Sequence, residues 1–290
     1  MNEDRFDNLL ADLEADGLLR SLTLRAGVGG RLAGDVLNFS SNDYLDLAND
    51  DRVKQSACDA VTQWGTGSGA SRLMTGHLEL HEQLEAKLAA WLGAEAALVF
   101  GSGFLTNLGV VTALAGRGDA IFTDRLNHAS LVDAARLSGA AVHRYRHADA
   151  EHLATLLAKH TDAPDRLIVT DSVFSMDGDI APLAAIGELA REHNCTWMVD
   201  EAHAVGVFGP NGAGASSLLP VSDRPDVVVG TMSKAMGGYG GFATCSRAMR
   251  EVLINRARSF IYSTGLPPAC LGAGLGALEV MAESRGTRGQ

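Results

Sequence analysis

The sequence predicts an α/β protein with a mostly parallel central sheet and helices on both faces. Short continuous apolar runs such as LIVT and WMVD are typical of strands buried on both sides. They alternate with segments such as LAAIGELAREH, whose apolar residues recur with the period of a helix. Regular alternation of strand and helix favours a parallel sheet. Because such sheets bind ligands beyond the carboxyl ends of their strands, the polar residues that follow each apolar run are the candidate functional residues.

The N-terminal part of the chain is predicted to form a helix and then a short strand or hairpin. Apolar residues recur at roughly helical spacing from about Arg5 to Leu22, and RLAGDVLNFSSNDYLDL then leads into polar turn residues. HEQLEAKLAAWLG is typical of a helix that Gly93 ends, and AALVF is the strand that follows it. We assign residues 1–45 to an N-terminal segment and residues 46–265 to the main domain.

The remaining elements alternate along the chain. The predicted strands are DAIFTD, AVHRYRH, RLIVTDSVF, TWMVDEAH and DVVVGTMSK, and the predicted helices are ASLVDAARLSG, AEHLATLLAKH and LAAIGELAREH. The two prolines of SFIYSTGLPPAC mark a break, after which LGAGLGALEVMA begins another helix. Residues 266–290 are therefore predicted to begin a further domain.

The charge balance argues against nucleic acid as a partner. The 290 residues include 24 Lys and Arg against 35 Asp and Glu, a net charge of -11, whose average field repels phosphate. The 4 cysteines stand singly without a CxxC pair, which disfavours a zinc ribbon or a disulfide framework. The acidic N-terminus does not resemble a secretory signal, and no apolar run is long enough to cross a bilayer. We therefore expect a cytoplasmic protein with no nucleic-acid, membrane or metal partner.

A single lysine, Lys234, stands between three valines and a run of glycines in VVVGTMSKAMGGYGG. Near a hydrophobic strand end an amine loses hydration, which lowers its pKa and makes it a better nucleophile toward a carbonyl. A lysine that merely extends to solvent along an apolar surface would give the same pattern. A Walker loop does not fit, because Ser233 stands where that motif requires glycine. The glycines at 237, 238, 240 and 241 favour chemistry, since they are expected to leave room for a bulky group beside Lys234.

A carboxylate, Asp200, closes the apolar run TWMVD. Such a charge is costly at a buried strand end unless it meets a cation or a donor. A residue that only caps the following turn would look the same. The sequence DEAH also occurs in helicases, but this chain has no Walker loop and is acidic. His203, three residues further on, and Lys234 favour a role in chemistry.

Two further strand ends carry candidate residues. GSGFLTN follows ALVF and places small residues at a helix start, where free backbone N–H groups can hold an anion, although glycine turns are common there. His128 in LNHAS is a candidate, with a core or capping histidine as the alternative. His77 and His81 are four residues apart, but HExxH is not satisfied because Glu85 occupies the place of the second histidine, so we place this pair on a helix surface.

Together these residues offer what pyridoxal 5′-phosphate (PLP) requires. A lysine forms a Schiff base with the PLP aldehyde, and a carboxylate keeps the pyridine nitrogen protonated so that the ring accepts electrons. A helix N-terminus takes the phosphate. The sequence therefore predicts a PLP site built from Lys234, Asp200 and the turn at Gly103.

The order of the motifs resembles the α-oxoamine synthases, a family of fold-type-I PLP enzymes. The matching motifs span about residues 35 to 270 and include SSNDYL, GTGSGASRLMTGHLELHEQLE, VDEAHAVGVFGPNGAG, TMSKAMGG and RSFIYSTGLPPA. The resemblance implies that Lys234 carries the Schiff base and that Asp200 pairs with the pyridinium nitrogen. It also implies that His203 and Ser175 hydrogen-bond the ring 3-oxygen, and that His128 stacks on the ring and orients the substrate.

The same resemblance implies a phosphate site, a substrate site and a homodimer. The phosphate would lie against Gly103, Phe104 and Thr231, while Ser263 and Thr264 would reach the phosphate of a partner subunit. Asn42 would lie near the substrate carboxylate and Arg20 near the acyl substrate.

The reaction implied is the decarboxylative condensation of L-alanine with pimeloyl-CoA or with pimeloyl-acyl carrier protein (ACP). The product, 8-amino-7-oxononanoate, belongs to biotin synthesis. The Lys234 amine would remove the Cα proton while the protonated ring stores the electrons. A sister enzyme that joins glycine and acetyl-CoA is one alternative, and an inactive PLP-fold subunit that only binds a partner is the other.

The chain departs from the family at its C-terminus. It ends at Gln290, before the motifs that supply an arginine and a threonine for the substrate in the family. We therefore expect it to hold the cofactor but to turn over poorly.

Overall fold

The computed structural model describes residues 3–25, 31–32 and 36–283. The chain divides into two compact units, Met1–Ser41 and Asn42–Gln290. The domain limits that the sequence predicts after residues 45 and 265 stay predictions.

The first unit contains a helix and a small hairpin. Helix α1 covers Glu3–Ala15, and strands β1 (Arg31–Leu32) and β2 (Val36–Leu37) pair antiparallel, as the sequence predicts. The predicted extension of the helix to Leu22 is wrong. Gly17 adopts a φ of 67°, and the Leu18 N–H bonds back to the Leu13 carbonyl at 2.8 Å. A glycine with positive φ closes the last turn in this way because it has no Cβ to clash.

The second unit is built on one mixed sheet. Its strands are β3 (Ala96–Phe100), β4 (Ala120–Asp124), β5 (Ala141–Tyr145), β6 (Arg166–Asp171), β7 (Thr196–Asp200), β8 (Val227–Thr231) and β9 (Gly241–Cys245). Their order across the sheet is β3-β9-β8-β7-β6-β4-β5. The pairs β5–β4, β4–β6, β6–β7 and β7–β8 are parallel, which confirms the predicted mostly parallel sheet. The unpredicted strand β9 runs antiparallel to both β3 and β8.

Helices cover both faces of this sheet. They are α2 (Asp51–Trp64), α3 (Glu79–Leu92), α4 (Gly103–Leu114), α5 (Ala129–Ser138), α6 (Ala150–Lys159), α7 (Leu183–Glu192), α8 (Arg247–Arg256), α9 (Arg258–Ile261) and α10 (Pro268–Glu283). One face packs against α4, α5, α8 and α9 through strand residues such as Leu98 and Val169. The other packs against α2, α3 and α10 near β3 and against α6 and α7 near β6. Successive strand residues face opposite sides, so continuous apolar runs fill both layers.

The carboxyl ends of the parallel strands meet at one edge of the sheet. Asp171 ends β6, Asp200 ends β7 and Thr231 ends β8. The turn from β3 into α4 reaches the same edge, because the antiparallel β9 places its first residue, Gly241, opposite Phe100 and Thr231. Among the helices of the described residues, none combines the length and the apolar character that a membrane span needs.

Candidate active site

A cavity of about 200 Å³ lies at this edge of the sheet. Eight residues predicted from the sequence line it: Gly103, Phe104, His128, Ser175, Asp200, His203, Thr231 and Lys234. Six residues that the sequence analysis did not select line it as well: Ser102, Asn107, Ser130, Asp171, Ala202 and Ser233. The chain therefore brings the predicted lysine, carboxylate, histidines and helix start into one place.

A larger cavity of about 300 Å³ lies between α3 and α10. Its charged groups pair with each other, since Lys87 Nζ lies 2.7 Å from Glu279 Oε1, and Trp91 Nε1 donates to the Asn211 carbonyl at 3.0 Å. The smaller cavity, with its convergent titratable groups, is the candidate active site.

The Lys234 amine belongs to a chain of hydrogen bonds. Lys234 Nζ lies 2.7 Å from His203 Nε2, and His203 Nδ1 lies 2.7 Å from Tyr44 Oη. Tyr44 in turn donates to Asn42 Oδ1 at 3.3 Å. One donor pattern satisfies all three contacts: Lys234 donates to Nε2, and the ring proton on Nδ1 is donated to Tyr44. Tyr44 was not predicted, and the chain places Asn42 beside it.

Burial sets the protonation of the two groups in this chain. It lowers the pKa of the Lys234 amine, although the nearby Asp200 and, where ionised, Asp171 oppose the shift. Burial, together with the neighbouring Lys234 ammonium, lowers the pKa of His203 to about 4. His203 is therefore neutral at pH 7 and accepts a hydrogen bond rather than competing with Lys234 for a proton.

The Asp200 carboxylate is buried and held by two donors. Asn107 Nδ2 donates to its Oδ2 at 2.6 Å, and the Ala202 N–H donates to its Oδ1 at 2.8 Å. Asn107 comes from the middle of α4 and also donates to Ser130 Oγ at 2.9 Å. Donors to a carboxylate stabilise its charged form. Asp200 thus offers a fixed negative charge at the base of the cavity.

The start of α4 offers an anion site. The Ser102 side chain caps the helix by accepting from the Leu105 N–H at 3.2 Å. The N–H groups of the first helical residues, Gly103 and Phe104, have no partner inside the helix, as at any helix start. The Thr231 hydroxyl stands opposite. A Cβ on Gly103 would lie 3.4 Å from Thr231 Cβ, so glycine keeps this gap open. A helix N-terminus beside a hydroxyl suits a phosphate.

These groups fit PLP. An amine for its aldehyde, a buried carboxylate for its ring nitrogen and a helix start for its phosphate line the same cavity. The open space at Gly103 is the observation that supports the phosphate site, because any larger residue would fill it.

His128 stands at the start of α5, next to a second buried aspartate. Its N–H donates to Asp171 Oδ2 at 2.7 Å, and its Nδ1 accepts from the Ser130 N–H at 3.2 Å. The sequence analysis passed over Asp171. The signal was present, since RLIVTD ends in aspartate as TWMVD does, and neighbouring parallel strands bring such ends together.

Four predicted site residues lie outside the lining of the cavity: Arg20, Asn42, Ser263 and Thr264. The predicted contact of Asn42 with the substrate carboxylate stays a prediction. Arg20 is exposed in the first unit. Ser263 is half-buried and Thr264 exposed in the loop after α9, where Thr264 bridges to Ser71. Their predicted roles, in the acyl site and in a partner subunit's phosphate site, stay predictions.

The glycines after Lys234 make room for the chain itself. A Cβ on Gly237, whose φ is 64°, would lie 2.1 Å from the Ala48 nitrogen. A Cβ on Gly241 would lie 2.6 Å from the Gly103 nitrogen. The glycines at 237, 238, 240 and 241 do not line the cavity. The prediction that they leave space for a bulky ligand is wrong, because none of them lines the cavity and neighbouring atoms occupy the space beside Gly237, Gly240 and Gly241.

The placing of the histidine pair on a helix surface is wrong for His81. His81 is fully buried, and its Nδ1 accepts from the Leu78 N–H at 3.1 Å. His77 is more exposed and pairs with Glu82 Oε1 at 2.7 Å. Glu85 is buried too, in an ion pair with Arg72. The inward-facing side of α3 therefore includes titratable side chains, which the sequence pattern alone places in solvent.

Comparison with known sequences places the chain among PLP enzymes. The sequence profile of the aminotransferase class I and II family matches residues 34–289. An 8-amino-7-oxononanoate synthase of Anaeromyxobacter sp. (strain K) is 52% identical over 280 residues, which is 94% of this chain and 69% of that protein. The 8-amino-7-oxononanoate synthase of Trichlorobacter lovleyi is 51% identical over 283 residues, 96% of this chain and 72% of that protein.

Solved structures show the same fold. A serine palmitoyltransferase from S. paucimobilis, solved with PLP and myriocin bound, superposes with a TM-score of 0.90 at 30% identity, over 99% of this chain and 77% of that one. An 8-amino-7-oxononanoate synthase from Francisella tularensis superposes with a TM-score of 0.72 at 32% identity, over 84% of this chain and 68% of that one. The predicted fold-type-I architecture is confirmed.

Proposed function

Because this chain belongs to the aminotransferase class I and II family, we propose that it is a PLP-dependent acyltransferase that makes 8-amino-7-oxononanoate for biotin synthesis. The substrates are L-alanine and a pimeloyl thioester, and the other products are carbon dioxide and the free thiol. Identity of 51–52% with 8-amino-7-oxononanoate synthases, against 30% with a serine palmitoyltransferase, supports this substrate pair. The observation in the structure that carries the proposal is one cavity lined by both Lys234 and Asp200.

Different residues of the cavity would bind different parts of PLP. When bound, PLP supplies an electrophilic aldehyde and a ring that draws electrons from the amino-acid Cα. Lys234 would hold the aldehyde, and Asp200 would face the ring nitrogen. The start of α4 at Gly103 and Phe104, with Thr231, would hold the phosphate. His203 and Ser175 would bind the ring oxygen, and His128 would cover the ring and orient the substrate.

Lys234 also suits the role of a base. Its lowered pKa increases the neutral fraction of the amine, and only a neutral amine can accept a proton at Nζ. His203 Nε2 lies 2.7 Å away and directs that amine. Asn107 Nδ2 and the Ala202 N–H donate to Asp200, and such donors favour the charged form of a carboxylate. The chain thus separates a proton acceptor from a fixed negative charge.

The substrate contacts and the homodimer extend this proposal. We assign Asn42 to the alanine carboxylate and Arg20 to the acyl donor, which is pimeloyl-CoA or pimeloyl-ACP. Ser263 and Thr264 would reach the phosphate in a partner's cavity. The placement of these residues supports this, because neither lines the cavity of its own subunit and their loop is held by a hydrogen bond from the Gly265 N–H to the Ala70 carbonyl at 3.0 Å.

A product assay tests the function. The protein loaded with PLP is supplied with L-alanine, glycine or L-serine, each with pimeloyl-CoA, pimeloyl-ACP or acetyl-CoA, and the products are identified by mass spectrometry. We expect 8-amino-7-oxononanoate from L-alanine with a pimeloyl donor, and no product with Lys234→Ala. Turnover of glycine with acetyl-CoA alone would assign the chain to the sister reaction.

Complementation between two inactive variants tests the shared site. Lys234→Ala and the double variant Ser263→Ala/Thr264→Ala are each expected to lose activity. When mixed under conditions that exchange subunits, they form heterodimers in which one site has both its lysine and its partner's hydroxyls. Recovered activity supports the dimer, whereas a mixture as inactive as its components contradicts it.

A further inference from the structure

Asp171 ends β6 directly beside Asp200 at the end of β7. The two residues are partners in the parallel register of these strands, and each is about 5% exposed. Register partners point to the same side of a sheet, and both residues line the cavity. Two carboxylates in one buried place disfavour each other's charge. One of the pair is therefore expected to hold a proton.

The donors around the two carboxyl groups differ. Asp200 accepts hydrogen bonds from Asn107 Nδ2 at 2.6 Å and from the Ala202 N–H at 2.8 Å, one on each oxygen. From the part of the chain that the structure describes, Asp171 accepts one, from the His128 N–H at 2.7 Å. Because each donor favours the ionised form, the negative charge belongs on Asp200 and the proton on Asp171.

We propose that Asp171 is a positioning residue that stays protonated at neutral pH, holding the His128 backbone in place while leaving Asp200 as the buried negative charge of the cavity. This inference rests on the proposed function, because a single carboxylate charge matches the single positive charge of a protonated PLP nitrogen. Among the described residues, a second charge at Asp171 would have the His128 N–H as its single hydrogen-bond donor and would share the Lys234 ammonium with Asp200.

The surroundings of Asp171 support this protonation state. Burial, and next the Asp200 carboxylate, raise the pKa of Asp171 well above its usual range, while the His128 N–H and the Lys234 ammonium oppose the shift. The titratable groups around it come from several elements: Asp200 on β7, Asp124 at the end of β4, Tyr145 at the end of β5, Lys234 after β8 and His128 before α5.

The stability of the protein without cofactor gives the first test. An unfolded aspartate ionises near a pKa of about 3.9. Folded Asp171 keeps its proton to a higher pH, so the folded state holds the extra proton in this window and its stability falls as the pH rises. Asp171→Asn copies the protonated group. The urea midpoint of Asp171→Asn minus that of the wild type is therefore expected to rise steadily from about pH 5 to about pH 8.

Asp200→Asn is the matched comparison, since it removes a carboxylate of equal burial on the neighbouring strand. It removes the charged neighbour of Asp171, so the pKa of Asp171 falls part of the way back while burial still raises it. The urea midpoint of Asp200→Asn relative to wild type should therefore rise less steeply with pH than that of Asp171→Asn. A midpoint difference for Asp171→Asn that stays constant or falls with rising pH would mean that Asp171 is ionised, and would overturn the proposal.

PLP affinity, measured by equilibrium titration, gives the second test. We expect Asp171→Asn to weaken binding by about threefold or less and Asp200→Asn by about tenfold or more. Asp171→Ala, which removes the acceptor for the His128 N–H, should weaken it more than Asp171→Asn does. Equal losses in Asp171→Asn and Asp200→Asn would overturn the proposal.

Infrared spectroscopy of the wild-type protein gives a third test, which remains possible if one of the Asp171 variants does not fold. The wild-type protein without cofactor should show a protonated-carboxyl band at about pH 7 that Asp171→Asn, or else Asp171→Ala, lacks. Absence of this band in the wild type contradicts the proposal. None of these measurements depends on condensation, so a protein that passes them but makes no 8-amino-7-oxononanoate would refute the proposed substrates and leave the assignment of Asp171 intact.

Discussion

Lys234 Nζ lies 2.7 Å from His203 Nε2, and through this histidine the reactive amine is linked to Tyr44 in an early part of the sequence. The opposite ring nitrogen lies 2.7 Å from the Tyr44 hydroxyl. With a pKa lowered to about 4, His203 remains neutral and its single ring proton can be fixed on the side of Tyr44. The tyrosine thereby determines which ring nitrogen faces the lysine as an acceptor.

Replacing Tyr44 with Phe should weaken this arrangement without removing its ring. Loss of the two hydrogen bonds of the hydroxyl, to His203 and Asn42, should lower the free energy of unfolding by about 1–2 kcal/mol and the affinity for PLP by roughly threefold to tenfold. Tyr262→Phe, at a residue 72% exposed, is the control and should change neither. Urea unfolding and a PLP titration measure both effects. Identical behaviour of the two variants would contradict a role for Tyr44 in the site.

Gly103→Ala should separate PLP binding from stability. The new Cβ would lie 3.4 Å from Thr231 Cβ, an ordinary contact, so the free energy of unfolding should change by less than about 1 kcal/mol. The same methyl group fills the gap at the start of α4, and the affinity for PLP should fall by about tenfold or more. An unaltered affinity would show that the phosphate binds elsewhere.

Gly237→Ala and Gly238→Ala should differ sharply although the residues are adjacent. At Gly237, a positive φ and a Cβ only 2.1 Å from the Ala48 nitrogen should cost about 3 kcal/mol or more in the free energy of unfolding. At Gly238 the nearest atom would be 3.5 Å from the Cβ, and the cost should stay below about 1 kcal/mol. Chemical denaturation compares them. Equal losses in the free energy of unfolding would mean that the backbone at Ala48 can move to accommodate the new methyl group.

Acid should destabilise the protein partly through His81. Burial, and then the Arg72 charge, lower the pKa of His81 to about 4, whereas an unfolded histidine titrates near about 6.5. Between these values the unfolded state binds more protons, so stability is fully present above the unfolded pKa and is lost as the pH falls. This residue alone accounts for up to about 3 kcal/mol. Urea unfolding should show that the free energy of unfolding of His81→Gln falls less than that of the wild type between about pH 6.5 and 4. If the two curves of stability against pH were parallel, His81 would not have this effect.

The sequence predicted the residues whose signal is local. Lys234 and Asp200 each end an apolar run, and a charge at a buried strand end is visible without any knowledge of the fold. The same holds for the parallel strands themselves. Helix α2 escaped prediction because only Val53 and Ala60 of its residues are buried, and strand β9 because GFATC mixes glycine and threonine with its apolar residues.

The partners of the predicted residues came from distant segments. Asn107, which holds the Asp200 carboxylate, lies inside an apolar helix and shows no pattern of its own. Tyr44 is separated by 159 positions from the histidine that it contacts. Such pairings depend on the register of the sheet and on loop paths, and a single sequence contains no local trace of either.

The position of β9 affects how the chain folds during its synthesis. Within the described residues, β3 pairs in the sheet with β9 alone, although 140 residues separate Phe100 from Gly241. On the ribosome, β4 to β8 can pair in turn as they emerge, whereas β3 must wait until Cys245 has left the exit tunnel. Because unpaired strand edges promote aggregation, we expect nascent chains stalled before that point to depend on chaperones. The gap between α4 and Thr231 is then completed late in synthesis.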